Sequence, residues 1–334
     1  MLPEYEKALK RWDILAKPLK GMGEFEKIIA KIVAINGFRT PLKKCVAVMC
    51  ADNGVVCEGV TQTDSSITAL VAKSITEGKS TVAHMAKTAG ADCFVYDVGM
   101  AADVPEVVNV KVAKGTGNIR KEAAMTRQQA VEAMERGSRI VGELKEQGYN
   151  LIATGEMGIG NTTTSSALAA VLLKCPVEDV TGKGAGLSDA GLANKIQVIK
   201  DAIAVNMPDS GDVTDVLSKL GGYDIAFMAG MFLGGLKYRV PVVIDGLISS
   251  ISALIAKRLQ PEAVDYMIPS HMSKEPAAKL IMEELELAPV IYAGMALGEG
   301  TGAVAMMPLI DMAMELYNDM PEFADIHMEA YKPL

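Results

Sequence analysis

Positive charge is in deficit: 33 Lys and Arg stand against 41 Asp and Glu, a net charge of −8. This excludes the broad basic footprint that nucleic acid or an anionic membrane requires, so neither is expected as a partner. A small anionic ligand remains open, because a helix N-terminus and one lysine act locally. Histidine is scarce, and His84, His271 and His327 are too scattered for a zinc site. No metal and no cofactor is expected. The five cysteines, Cys45, Cys50, Cys57, Cys93 and Cys175, form no C-x-x-C and read as buried, reduced thiols. No apolar run reaches about 18 residues, since Lys237, Arg239, Asp245 and Glu299 interrupt the most hydrophobic half. The opening MLPEYEKALKRWD is charged and has no signal-peptide h-region, so a cytoplasmic protein is expected. Repeats, linkers and low-complexity segments are absent.

What is present is a chain of 334 residues, 50% hydrophobic, long enough to bury a sizeable core. Short apolar runs end repeatedly in an acid near glycine: CVAVMCADNG (45–54), CFVYDVG (93–99), NLIATGEMG (150–158) and VPVVIDG (240–246). Helical patterns separate them. The expected fold is therefore α/β, with a Rossmann-like parallel sheet and crossover helices. Ligands in such sheets gather outside the carboxyl ends of the strands, so Asp52, Asp97, Glu156 and Asp245 should converge on one crevice. Residues 1–38 and the Met-rich stretch from 304 to 334 read as a small helical subdomain, and 39–303 as the large α/β domain.

Four stretches carry candidate chemistry. In GEMGIGNTTTSSALAAVLL (155–173) a glycine turn meets a Thr/Ser cluster and then a helix. Asn161 or Thr162 can cap that helix, and Thr162, Thr163 and Thr164 offer hydroxyls to a monophosphate. A buried helix with glycines for close packing is the plainer alternative. The loop has neither G-x-x-x-x-G-K-[ST] nor the third glycine of G-x-G-x-x-G. GKGAGLSDAGLANK (182–195) puts Lys195 on a following helix, where an ammonium can meet phosphate or be solvated. VVIDGLISS (242–250) lacks the paired acids of a diphosphate site. LGEGTGA (297–303) sets Glu299 between glycines ahead of a helix, as a general base or as a charge neutralising a helix N-terminus.

The order of these stretches resembles the nicotinate-nucleotide:dimethylbenzimidazole phosphoribosyltransferases, enzymes of cobamide lower-ligand synthesis. The likeness runs through KPLKGMGEFE (17–26), ADNGVVCEGV (51–60), GEMGIGNTTT (155–164), GKGAGLSDAGLANK (182–195), PVVIDGLISS (241–250), SHMSKEP (270–276) and GMALGEGTGA (294–303). The resemblance implies transfer of ribose 5-phosphate from nicotinate mononucleotide to an aromatic acceptor. It implies that Gly158, Ile159, Gly160, Asn161, Thr162 and Thr163, with Lys195, hold the 5′-phosphate, and that Asp245 and Ser273 contact the nucleotide. Glu299 would be the general base, and Glu156 would supply negative charge. Met157, Leu297, Gln62 and Leu70 would form the acceptor pocket. The resemblance further implies a dimer, of identical or homologous subunits.

Several positions depart from the family pattern. Asp52-Asn53-Gly54 stands for Asp-His-Gly, Thr63-Asp64 for Tyr-Pro, Leu70 for glutamine and Ala296 for arginine. Several of these changes lie by the acceptor pocket. They suggest acceptors other than dimethylbenzimidazole, with phenols ahead of purines, in one subunit of a homologous pair. A nucleotide-binding subunit that has lost turnover and supports an active partner is the alternative.

Overall fold

Strand β1 (Lys44–Ala51) is buried at every position, as a strand covered on both faces must be. Its side chains divide by alternation. Cys45, Ala47, Met49 and Ala51 enter one apolar cluster, and Val46, Val48 and Cys50 enter another on the opposite face. The computed structural model describes Leu2 and residues 4–331. Strands β2 (Ala91–Gly99), β3 (Val108–Asn109), β4 (Leu151–Met157), β5 (Val242–Val243) and β6 (Met267–Ile268) complete a six-stranded sheet in the order β3-β2-β1-β4-β5-β6. All pairings are parallel, with Lys44 opposite both Ala91 and Leu151. The expected α/β fold is therefore present. Strands β3 and β6, two residues each, are too short to leave a sequence pattern.

The strand order reverses between β1 and β4, which opens a crevice at their carboxyl ends. Thirteen helices are described: α1 (Tyr5–Ile14), α2 (Glu24–Asn36), α3 (Ser66–Thr76), α4 (Thr81–Thr88), α5 (Arg127–Glu146), α6 (Asn161–Leu172), α7 (Val177–Val180), α8 (Asp189–Asn206), α9 (Val213–Leu220), α10 (Tyr223–Tyr238), α11 (Leu247–Leu259), α12 (Ala277–Leu285) and α13 (Thr301–Asp319). One face of the sheet carries α5, α6 and α8 to α11. Close approach of α5 to α10 depends on Gly137 and Gly230, where an added Cβ would overlap the carbonyls of Phe227 and Met134. Helix α10, YDIAFMAGMFLGGLKY, is buried almost throughout and so shows little amphipathic pattern.

The other face carries α1 to α4 and α13. The chain ends do meet: the Trp12 and Tyr317 rings pack edge-on with centroids 5.1 Å apart, and Tyr317 Oη donates to Ala8 O at 2.9 Å. Their apolar cluster runs from Trp12, Ile29 and Met307 into Val46 and Val48 of β1. The terminal helices are thus a layer of the same body, and the boundary expected at 303/304 falls inside α13. Met1, Pro3 and residues 332–334 of the expected subdomain lie outside the described residues. Met306, Met307 and Met314 are core, as a Met stripe usually is. Of the thiols, Cys45 and Cys50 are buried, Cys93 and Cys175 are half-buried, and Cys57 is exposed, contrary to expectation. Among the described residues no helix is long and apolar enough to cross a membrane.

Candidate active site

The carboxyl ends of β1, β4, β5 and β6 feed one cleft of about 270 Å³. It is lined by Glu156 to Thr162 after β4, Asp245 to Ser249 after β5, His271, Ser273 and Glu275 after β6, and Ala296 to Glu299 ahead of α13. Two of the four acids expected there are elsewhere. Asp97 accepts from Gly99 N and Met100 N and pairs with Lys111 Nζ at 2.6 Å, while Asp52 accepts from Ala101 N at 2.8 Å. Each ties down the turn after its own strand pair, and neither lines the cleft.

The glycine turn after β4 is tighter than an anion cradle alone needs. Gly160, at φ 91°, is the N-cap of α6, so neither Asn161 nor Thr162 caps it. Asn161 N donates to Gly158 O, Thr163 N to Gly160 O, and Ile159 N to Thr68 Oγ1, so these three N–H groups are spent within the fold. The anion-facing equipment is Thr162. Its Oγ1 accepts from Lys195 Nζ at 2.8 Å, and that amine also donates to Gly182 O at 3.2 Å. Lys195 is fully buried behind Thr162 and does not line the cleft, whereas Lys183 and Gly184 do. Burial lowers the Lys195 amine to about 8, with Glu275 opposing the shift. Thr163 faces the core: its Oγ1 is buried without a partner and is not part of the wall.

The carboxyl groups are placed by backbone geometry. Glu299 is held in the left-handed region at φ 60°, between Gly298 and Gly300 at φ 89° and 94°. A non-glycine residue there costs on the order of 1 kcal/mol and persists only where its surroundings impose it. Its Oε2 accepts from Val82 N at 3.1 Å, in the first turn of α4. It therefore meets a helix N-terminus, though not that of the helix it precedes. Asp245 serves α13 instead, accepting from Gly302 N at 2.7 Å, Ala303 N at 3.0 Å and Gly300 N at 3.3 Å. Burial raises its proton affinity, and His271 with the Ala303 and Gly302 N–H groups opposes the rise. Expected as a nucleotide contact, Asp245 lines the cleft with both oxygens already engaged by the scaffold.

Glu156 lines the cleft and shares an amide with a second acid. Asn161 Nδ2 donates to its Oε2 and, at 2.9 Å, to Asp224 Oδ2. Burial first, and then the Asp224 charge, push the Glu156 carboxyl up to about 8. Asp224 itself is raised to about 6 by burial. Sequence reasoning missed Asp224, although an acid inside the apolar run of α10 was a visible signal. It also left His271 without a role. That ring is buried and lines the cleft, with Nδ1 unpartnered and Nε2 3.8 Å from Asp245 Oδ1.

Ser273 lines the cleft, accepting from Glu275 N at 3.4 Å. Met157, Leu297 and Gln62 line it too, with Val60 and Val71. Gln62 Nε2 donates to Gly186 O, which occupies its amide. Leu70 is 63% exposed and outside the wall, because helical spacing turns its neighbour Val71 inward instead. Among the described residues no three His, Cys, Asp or Glu side chains are grouped as metal ligands.

Comparison with known proteins bears on this geometry. A family model described as phosphoribosyltransferase matches residues 4–327. A nicotinate-nucleotide–dimethylbenzimidazole phosphoribosyltransferase of Ruminiclostridium cellulolyticum is 48% identical, over 98% of this chain and 95% of its own length. Its namesake in Clostridium acetobutylicum is 47% identical, over 98% and 94%. The crystal structure of CobT from Thermus thermophilus superposes with a TM-score of 0.92 at 33% identity, covering 98% of this chain and 99% of that one. Matched from end to end in sequence and in fold, the chain belongs to the nicotinate-nucleotide:dimethylbenzimidazole phosphoribosyltransferase family.

Proposed function

We infer that this chain transfers ribose 5-phosphate from nicotinate mononucleotide to an aromatic base, releasing nicotinate and giving an α-linked ribotide for cobamide synthesis in the cytoplasm. One observation carries the reading: a single cleft combines a lysine-backed hydroxyl at Thr162, a held carboxylate at Glu299 and an aliphatic wall of Val60, Val71, Met157 and Leu297. A nucleotide phosphate suits the first, and a flat aromatic ring suits the last.

The chemistry asks little acid catalysis of the protein. The leaving group is a pyridinium, which departs as neutral-ring nicotinate without protonation. The acceptor must be oriented on the opposite face of the ribose and lose its proton as the new bond to C1′ forms. Glu299 takes that proton; its backbone strain and its Val82 N contact fix the carboxylate at the cleft. Attack from the opposite face inverts the β linkage to α. Thr162, with Lys195 behind it, holds the phosphate, and Ser273 and the glycine turn frame the nucleotide. Asp245 acts on the reaction through α13, by anchoring the loop that carries Glu299.

Discrimination among aromatic acceptors comes from hydrogen bonds more than from area. The wall is aliphatic and the Gln62 amide is engaged by Gly186, so phenols are accepted beside benzimidazoles in this reading. Leu297 of the cleft wall is 54% exposed, and Leu70, outside the wall, is 63% exposed, which leaves apolar surface for a second subunit, identical or homologous. The test is incubation of the purified chain, alone, with nicotinate mononucleotide and a panel of aromatic acceptors. Acceptor-dependent nicotinate release is expected. Release only when a homologous subunit is added identifies a supporting subunit, and no release in either case refutes the assignment.

A further inference from the structure

Glu156 and Asp224 form a buried pair of acids, and among the described residues no cation shifts either of them. Glu156 is the last residue but one of β4 and is 9% exposed; Asp224 lies in the first turn of α10 and is wholly buried. One amide serves both, since Asn161 Nδ2 donates to Glu156 Oε2 and to Asp224 Oδ2. The packing is made for this bridge. A Cβ on Gly158 would overlap Asp224 Oδ2 and one on Gly298 would overlap Glu156 Oε1, so these glycines leave room for carboxyl oxygens. Among the described residues the second oxygen of Asp224, Oδ1, has no hydrogen-bond partner, and neither has Oδ1 of Asn53, while the Ile225 N–H at the head of α10 opposes the rise in the Asp224 proton affinity. A Cβ on Gly222 would lie 2.5 Å from the first and 2.6 Å from the second, so two orphaned acceptors flank the same point.

Two ionised acids sharing one amide in a buried site repel strongly, and one proton on the pair relieves this. On Glu156 it removes the like-charge contact. The other groups facing Glu156 do not supply the missing charge. Asp245 and Glu299 are acids and raise its proton affinity further. Cys50 on β1 is held as a neutral thiol by burial. Lys183 in the cleft is paired with Asp189 at 2.6 Å, and His271 faces Asp245. Asp52, near Asp224, adds only negative charge.

We propose that Asp224 is a positioning residue of the transfer site: through Asn161 it fixes the Glu156 carboxyl in the cleft wall and makes the two acids share a single proton at neutral pH. The inference rests on the transferase reading of the cleft. It assigns the pair two duties at once. A protonated Glu156 can donate a hydrogen bond to an acceptor, while one negative charge stays on the pair to oppose the positive charge that develops at C1′.

The test is an isotope-edited infrared titration of the folded protein carrying 13C-carboxyl glutamate, with Glu156→Gln to assign the band. A protonated-carboxyl stretch assigned to Glu156 is expected at pH 7 in the wild-type chain. In Asp224→Asn the like charge is gone, so the midpoint of that band should fall by about one pH unit or more. The matching limb of the kcat/KM profile for nicotinate release should move the same way, with KM for the nucleotide little changed. An ionised Glu156 at pH 7 in the wild type overturns the proposal, whether or not Asp224→Asn folds. So does an unmoved midpoint in a folded Asp224→Asn. The titration needs no turnover, so an inactive chain that still shows the shared proton refutes only the transferase reading.

Discussion

Replacing Asp245 by Asn separates a scaffold role from a ligand role. Its carboxylate accepts three backbone N–H groups at the head of α13, at 2.7, 3.0 and 3.3 Å, and it is only 2% exposed. Hydrogen bonds to a charged acceptor contribute about 1.5–3 kcal/mol and neutral ones about 0.5–1.5, so the two bonds an Asn oxygen retains each lose roughly 1 kcal/mol. The Asn amide nitrogen then faces an N–H where an oxygen stood, leaving a buried donor unsatisfied at a cost of about 1–3 kcal/mol. Burial of the charge in the wild type offsets part of this, and the expected loss is about 2–4 kcal/mol. For a chain of this size about 2 °C accompanies each kcal/mol, so the thermal midpoint should fall by roughly 4–8 °C. Calorimetry with and without nicotinate mononucleotide reads it. Turnover should fall as well, because Gly300 N–H belongs to the loop carrying Glu299. An unchanged midpoint combined with lost nucleotide affinity would refute the reasoning and return Asp245 to the nucleotide.

Glu299→Gln should cut turnover by about 10²-fold to 10⁴-fold with nucleotide affinity nearly intact, since shape is kept and the base is lost; steady-state nicotinate release decides, and wild-type turnover removes Glu299 from the chemistry. Nucleotide affinity should hold below about pH 8 and decline above it, because bound phosphate favours the Lys195 ammonium and that buried amine titrates near 8; calorimetric affinities across that range check the sign, and Lys195→Met should abolish the decline. Nicotinate riboside should bind far more weakly than the mononucleotide, and added EDTA should leave the rate unchanged; strict Mg²⁺ dependence would favour a diphosphate donor instead. In competition between equimolar p-cresol and dimethylbenzimidazole with limiting nucleotide, a benzimidazole preference above about tenfold, roughly 1.4 kcal/mol, defeats the argument from an aliphatic wall.

The strand runs 45–54, 93–99, 150–158 and 240–246 were legible because strands covered on both faces must be continuously apolar, and the sequence also set the glycine turns and acids at their carboxyl ends. The residues that line one cleft, from Gln62 and Met157 to Ser273, Leu297 and Glu299, were nameable from motifs and family likeness. Hydrogen-bond partners were not, because they come from segments far apart in the chain. Whether Asp245 faces a ligand or the N-terminus of α13, 55 residues or more away, is decided by how two loops pack. Lys195 sits behind Thr162 rather than in the cleft for the same reason. Leu70 was misplaced by one helical position, which turns a side chain by about 100°. Asp224 stood out only as an acid in an apolar run, since a helix buried all round has no polar face to show what such an acid meets. Sequence alone thus determined four of the six strands, the reaction family and most of the wall. Only the tertiary structure decided which of its charges are free, which are spent on the scaffold and which are neutral, because proton affinity follows burial and neighbours that the linear order does not contain.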